Sequence, residues 1–199
     1  MIEQTSLAII IDCWDTDRVV PKKLYERIVN FLDASPHITT VALASYNCRL
    51  EKLGDSIWYQ NYNNLFSNSQ SRKIKDLEYV HRHFEMRDTT YPNESTAPII
   101  LNYINNNKVQ LAMKWRWELE YYLELNTEIQ NVYVIGTAWD MCVKIRPLGY
   151  ESVKEIKNIN VLTNVSCVID MQGNTPVLSP PWQQINNSIY HYDNKQTTR

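Results

Sequence analysis

The chain has 199 residues, 44% of them hydrophobic, and a formal net charge of -2. That length makes one ordinary domain, at most with an insertion, and the near-neutral charge argues against nucleic acid or an anionic membrane surface as the main partner. No apolar run approaches the length of a membrane span, and the N-terminus lacks the charged and apolar regions of a secretory signal, so a cytoplasmic protein is expected.

Leu7 to Ile11 is a continuous aliphatic run and reads as a buried parallel strand. Asp12 follows it, at the carboxyl end where open α/β sheets bind ligands. It reads either as a general base or as an Asp that caps the next turn. Pro21 to Ala34 reads as a helix with Leu24, Ile28, Phe31 and Leu32 on one stripe, stopped by Ser35-Pro36. Val41 to Ala44 is a second buried strand.

The stretch from Arg49 to about Ala97 carries the weakest pattern and is treated as an insertion. Arg49 to Trp58 reads as helical, Asn61 to Ser71 as a polar loop, and the alternation from Tyr79 to Phe84 as an edge strand. Ser95-Thr96-Ala97-Pro98 is a helix entry, with Ile99 to Ile104 as its body and the Asn105-Asn106-Asn107 tract as its end. Val109 to Met113 reads as a strand ending at Lys114. Trp115-Arg116-Trp117 then runs into a helix from Glu118 to Leu125.

Val132 to Ile135 is another buried strand. Gly136, one of only 4 glycines, follows it and marks a backbone position that cannot carry a side chain. Helical periodicity resumes near Cys142. A cysteine at a strand-turn-helix junction sits where helix N–H groups favour a thiolate and stabilise an oxyanion. Position alone leaves the alternative open that Cys142 is a small buried apolar residue. The cysteines Cys13, Cys48, Cys142 and Cys167 show no Cys-x-x-Cys pairing and read as reduced thiols. Gly136-Thr137-Ala138 after a strand does not complete a dinucleotide-binding Gly-x-Gly-x-x-Gly. Asn160 to Leu162 reads as a short last core strand. Asp170-Met171-Gln172 precedes turn chemistry at Gly173-Asn174. The chain from about residue 173 reads as surface wrapping, with Ser188 to Tyr192 strand-like.

Two blocks carry a family resemblance. Gly136-Thr137-Ala138-Trp139-Asp140-Met141-Cys142-Val143, continued by Lys144-Ile145-Arg146-Pro147-Leu148-Gly149, resembles the nucleophile signature of the isochorismatase-like cysteine hydrolases. The branch it resembles carries Arg-Pro-x-Gly after the cysteine. Ala8-Ile9-Ile10-Ile11-Asp12-Cys13-Trp14-Asp15-Thr16 is similar to that branch's first strand. The resemblance runs from the first strand to about Val168. It implies a three-layer α/β/α domain over residues 1–199, with a six-stranded parallel sheet of order 3-2-1-4-5-6. It also implies a catalytic triad of Asp12 ending strand 1, Lys114 ending strand 4 and Cys142 after strand 5.

The resemblance further implies an oxyanion hole of the Ala138 and Cys142 backbone N–H groups, a cis peptide at Thr137-Ala138, and attack on a C–N bond of a small amide or ureide. Trp14, Trp115, Trp117 and Trp139 are candidates to wall a pocket, although six Trp in one chain also serve core packing. The family's metal-dependent members carry Asp-x-His where this chain has Tyr46-Asn47-Cys48, so no metal and no cofactor are expected. His81 and His83 are the alternative from which a metal site could be rebuilt, although lone histidines are far more often ordinary surface or core residues. A small-molecule substrate and a homo-oligomer, dimer or tetramer, are expected, with 13 Tyr and 6 Trp available for interfaces. A silent binding subunit and a vinyl-ether hydrolase of the same fold are the alternatives.

Overall fold

The computed structural model describes residues 5–11, 13, 22–44, 53–66, 96–138, 143, 146–169, 176–178, 183–185 and 189–191. Strands β1 (Thr5–Ile11), β2 (Ile38–Ala44), β3 (Val109–Met113), β4 (Ile129–Ala138) and β5 (Asn160–Ile169) form a parallel sheet of order 3-2-1-4-5. The short β6 (Pro176–Leu178) adds to β5 antiparallel, and β7 (Gln183–Ile185) pairs with β8 (Ile189–His191) in a separate hairpin. The helices are α1 (Lys22–Asp33), α2 (Ile57–Phe66), α3 (Pro98–Leu101), α4 (Arg116–Leu125) and α5 (Tyr150–Val153).

The period of two in β1 builds both cores. Leu7, Ile9 and Ile11 point to one face, where they meet Trp117, Leu119 and Tyr122 of α4 and Tyr150 and Val153 of α5. Ala8 and Ile10 point to the other, against Tyr25, Ile28 and Leu32 of α1 and Ile100 of α3. Because both faces are covered, the strands are continuous aliphatic runs instead of alternating ones. The α/β class with helices on both faces is as expected.

Several details depart from the sequence reading. The sixth sheet strand is antiparallel, so the parallel part has five strands. Val109–Met113 is not the neighbour of β1. It pairs with β2 at the outer edge, and β4 takes the place beside β1. Gly136 lies inside β4, which continues to Ala138. β5 runs for 10 residues where three were expected, and β6 runs antiparallel to it. α3 has only 4 residues, with Pro98 at its start.

Asn61 to Phe66, expected as loop, belongs to α2. Trp58, Tyr62 and Phe66 recur every fourth residue and turn one stripe toward the protein. Among the described residues β3 is the outermost strand, α2 packs against it, and Asn61 Nδ2 donates to the Gln110 carbonyl at 2.5 Å. A side chain thus occupies an edge position that could otherwise template another strand. The expected strand at 79–84 lies outside the described residues.

Candidate functional site

Parallel pairing places the carboxyl ends of β1 to β5 on one edge of the sheet. The register makes three of them flush, because Ile11 pairs with Ala44 and with Gly136, and Ala44 pairs with Met113. Ile11, Ala44 and Met113 therefore end their strands at one level, and Lys114 leaves β3 there. β4 extends past β1: its pairing with β1 ends at Gly136, whereas its pairing with β5 continues to Ala138 opposite Cys167. On the β1 side, the backbone of residues 137 and 138 has passed the last described strand partner.

The β1–β4 boundary is held by close packing. A Cβ at Gly136 would overlap Val143 Cγ2 and stand 3.1 Å from the Ile11 carbonyl oxygen. Val143 is fully buried. The chain one residue beyond Cys142 is therefore packed on Gly136 of β4, beside the end of β1. Gly149 fixes the other side of the same residue. A Cβ there would lie 2.8 Å from the Val143 oxygen and 2.8 and 2.9 Å from Arg146 backbone atoms, while its N–H donates to the Arg146 carbonyl at 2.7 Å. The Arg-Pro-x-Gly segment is thus a tight turn closed against Val143. Val143 is itself in helical conformation and a further short helix begins at Tyr150, while the helix start expected near Cys142 lies outside the described residues.

Asp12, Trp14, Trp139 and Cys142 lie outside the described residues, as do Tyr46, Asn47, Cys48, His81 and His83. The immediate neighbours of Asp12 are described: Ile11 and Cys13 are both buried, and the Cys13 carbonyl accepts the Ala97 N–H at 2.8 Å. The Thr137-Ala138 bond, expected to be cis, lies within β4, and no cis peptide bond occurs among the described residues. No group of three His, Cys, Asp or Glu that could hold a metal ion occurs among the described residues.

Lys114 leaves β3 half-buried, with its Nζ 5.6 Å from the centre of the Trp115 ring. That is cation–π range, and it is the one described contact of an expected pocket tryptophan with an expected catalytic residue. β2 stands between β3 and β1. Lys114 therefore starts about 10 Å from the end of β1 and about 14 Å from β4, at roughly 4.8 Å per strand. Trp117 turns away into the core beside Phe66 and Tyr122.

A residue that the sequence reading passed over holds this end of the edge. Glu118, at the third position of α4, is fully buried. Its Oε2 accepts the backbone N–H of Lys114 and that of Trp115, the latter at 2.9 Å, and its Oε1 accepts the Tyr62 hydroxyl at 3.0 Å. Burial pushes its carboxyl up to about 7. The two backbone donors, the Tyr62 hydroxyl and the Lys114 charge all act against that rise. Burial, reinforced by Glu118, holds the Tyr62 phenol well above its ordinary value, so it remains a donor.

Half of a capping box is present here, since Glu118 reaches back to the N-cap N–H of Trp115. The usual signal for one is Ser or Thr at the N-cap. Trp115 in that place hid it.

Comparison with protein-family models, curated proteins and solved structures returns no match. No described helix is long and apolar enough to cross a membrane.

Proposed function

We propose that this chain is a cysteine hydrolase that cleaves a C–N bond of a small amide, ureide or related compound through a thioester. The observation that carries the reading is the packing of Val143. The residue after Cys142 is wedged over Gly136 beside the end of β1, the strand that precedes Asp12 in the sequence, and this supports a site shared by the two. The glycine and the valine at the two ends of the proposed nucleophile motif are thus a physical pair.

In this reading the Asp12 carboxylate takes the thiol proton, and the Cys142 sulfur forms a bond to the substrate carbonyl carbon. The backbone N–H groups of Ala138 and Cys142 receive the oxyanion, each such donor being worth about 3 kcal/mol of barrier. Collapse breaks the C–N bond, and Asp12 returns its proton to the leaving amine. Water then attacks the thioester with Asp12 as base, releasing the acid and restoring the thiol. Lys114 supplies positive charge from two strands away, toward Asp12. The half-buried Trp115 ring beneath it offers flat apolar surface to a small planar substrate.

The distance of β3 from β4 favours one competing reading, a silent binding subunit in which Lys114 never meets the thiol. Cys142→Ala separates the two. It is expected to abolish hydrolysis in a screen of small amides and ureides while leaving the thermal unfolding midpoint within a few degrees of wild type. Turnover retained by the variant, or no turnover by wild type on any member of the panel, removes the thioester mechanism.

A further inference from the structure

We propose that Glu118 is a positioning residue for Lys114. Its carboxylate, gripped by the Tyr62 hydroxyl on one oxygen and by two backbone N–H groups on the other, sets the point at which Lys114 leaves β3. The inference rests on the hydrolase reading for its consequence, but not for its geometry.

Among the described residues, three donors and no acceptor converge on this one side chain. A carboxylate, which only accepts, satisfies all three. A glutamine would turn an N–H toward one of them, and an apolar residue would orphan the N–H groups at the helix start. A carboxylate is also the costliest of these groups to bury, and it is kept here at zero exposure. An ordinary capping glutamate works at the surface and needs no help. This one takes a donor from α2, an element 56 residues away in sequence.

The network therefore joins three elements at one point: the end of β3, the start of α4 and the inner face of α2. Among the described residues, the titratable groups that face Glu118 are Tyr62 from α2, with Tyr59 stacked behind it, and Lys114 from the β3 end. Lys114 and Trp115 take their backbone positions from this anchor, so the ammonium over the Trp115 ring does as well.

Charge and position predict opposite signs. Removing a negative charge near the site would by itself make a thiol easier to ionise. Releasing Lys114 from its anchor would make it harder. In Glu118→Gln, the pH at which Cys142 reacts with iodoacetamide is expected to rise toward that of Lys114→Ala. The double variant should behave like Lys114→Ala alone, since Glu118 acts through Lys114.

In the same protein the amide protons of Lys114 and Trp115 should move upfield and exchange roughly tenfold faster, as befits loss of a charge-assisted bond. Tyr62→Phe keeps the carboxylate and both N–H groups. It is expected to move each readout the same way by less, and it serves as the test if Glu118→Gln does not fold. Both variants leaving the amide protons at their wild-type positions would overturn the positioning role. So would a Cys142 profile that Lys114→Ala moves and neither variant moves. If Lys114→Ala leaves Cys142 unmoved, the hydrolase reading has failed, and the amide protons alone decide the role of Glu118.

Discussion

At the β4 end of the sheet's carboxyl edge, the chain is positioned by the absence of side chains. Gly136 and Gly149 let Val143 approach from two directions, through its Cγ2 and through its carbonyl oxygen. At the β3 end it is positioned by a buried charge with three donors aimed at it. The first device is steric and has no titratable part, so it holds at any pH that keeps the protein folded. The second depends on protonation, because its acceptor is a carboxyl raised to about 7. One edge thus carries a rigid half and a half whose strength changes near neutrality.

Breaking the steric half is expected to cost most. In Gly149→Ala the new methyl meets only backbone atoms, which cannot move aside, so a loss of about 3 kcal/mol is expected, the upper end for overpacking. Gly136→Ala should cost about 2 kcal/mol, because one of its two closest contacts is a side-chain methyl that can yield. Adding Val143→Ala should recover part of that second loss and none of the first. Urea midpoints of the three variants check this, and equal costs with no recovery would show that Val143 is not what the glycines accommodate.

The charged half is probed next through pH. Native Glu118 titrates near 7 against 4.5 for the ordinary group, so between those values the folded state holds a proton that the unfolded chain has released. Its contribution to stability is therefore full below pH 4.5 and lost as pH rises through 7, a span of roughly 3 kcal/mol. The difference in unfolding free energy between wild type and Glu118→Gln should fall in that window. Parallel stability curves from pH 4.5 to 8 would remove the raised carboxyl.

The smallest effect is expected at the outer border of the same half. Asn61→Ala removes the side-chain donor to the Gln110 carbonyl and should cost about 1 kcal/mol. Neither atom titrates, so the loss should be the same at pH 5 and pH 8. A pH-dependent loss would mean that α2 communicates with Glu118 through more than Tyr62.

The rigid half was legible in the chain because its signals are local. A continuous aliphatic run with a glycine at its end already marked a backbone that cannot carry a side chain, whereas Arg146-Pro147-Leu148-Gly149 was read only as part of a family resemblance and its tight turn became visible in the structure. The charged half was not legible. Tyr62 sits in an asparagine-rich stretch whose polarity masks the Trp58, Tyr62 and Phe66 stripe. Glu118 follows a tryptophan where a capping box normally begins with a hydroxyl residue. Neither residue has a pattern until the other is beside it, and they are 56 positions apart. Lys114 was read correctly as the end of a strand, but its strand was given the wrong neighbour.

The sequence by itself determined the α/β class and the strand ends from which a site could be built. Burial on both faces imposes unbroken apolar strands, and helices between them impose parallel pairing, which brings the carboxyl ends to one edge. Only the tertiary structure decided which strands lie side by side, that β3 stands two places from β1, and that a carboxylate from α4 and a phenol from α2 meet beneath Lys114. The physical reason is range. Periodicity reports which face of a segment leaves water, whereas strand order and buried hydrogen bonds depend on which distant segments share that face.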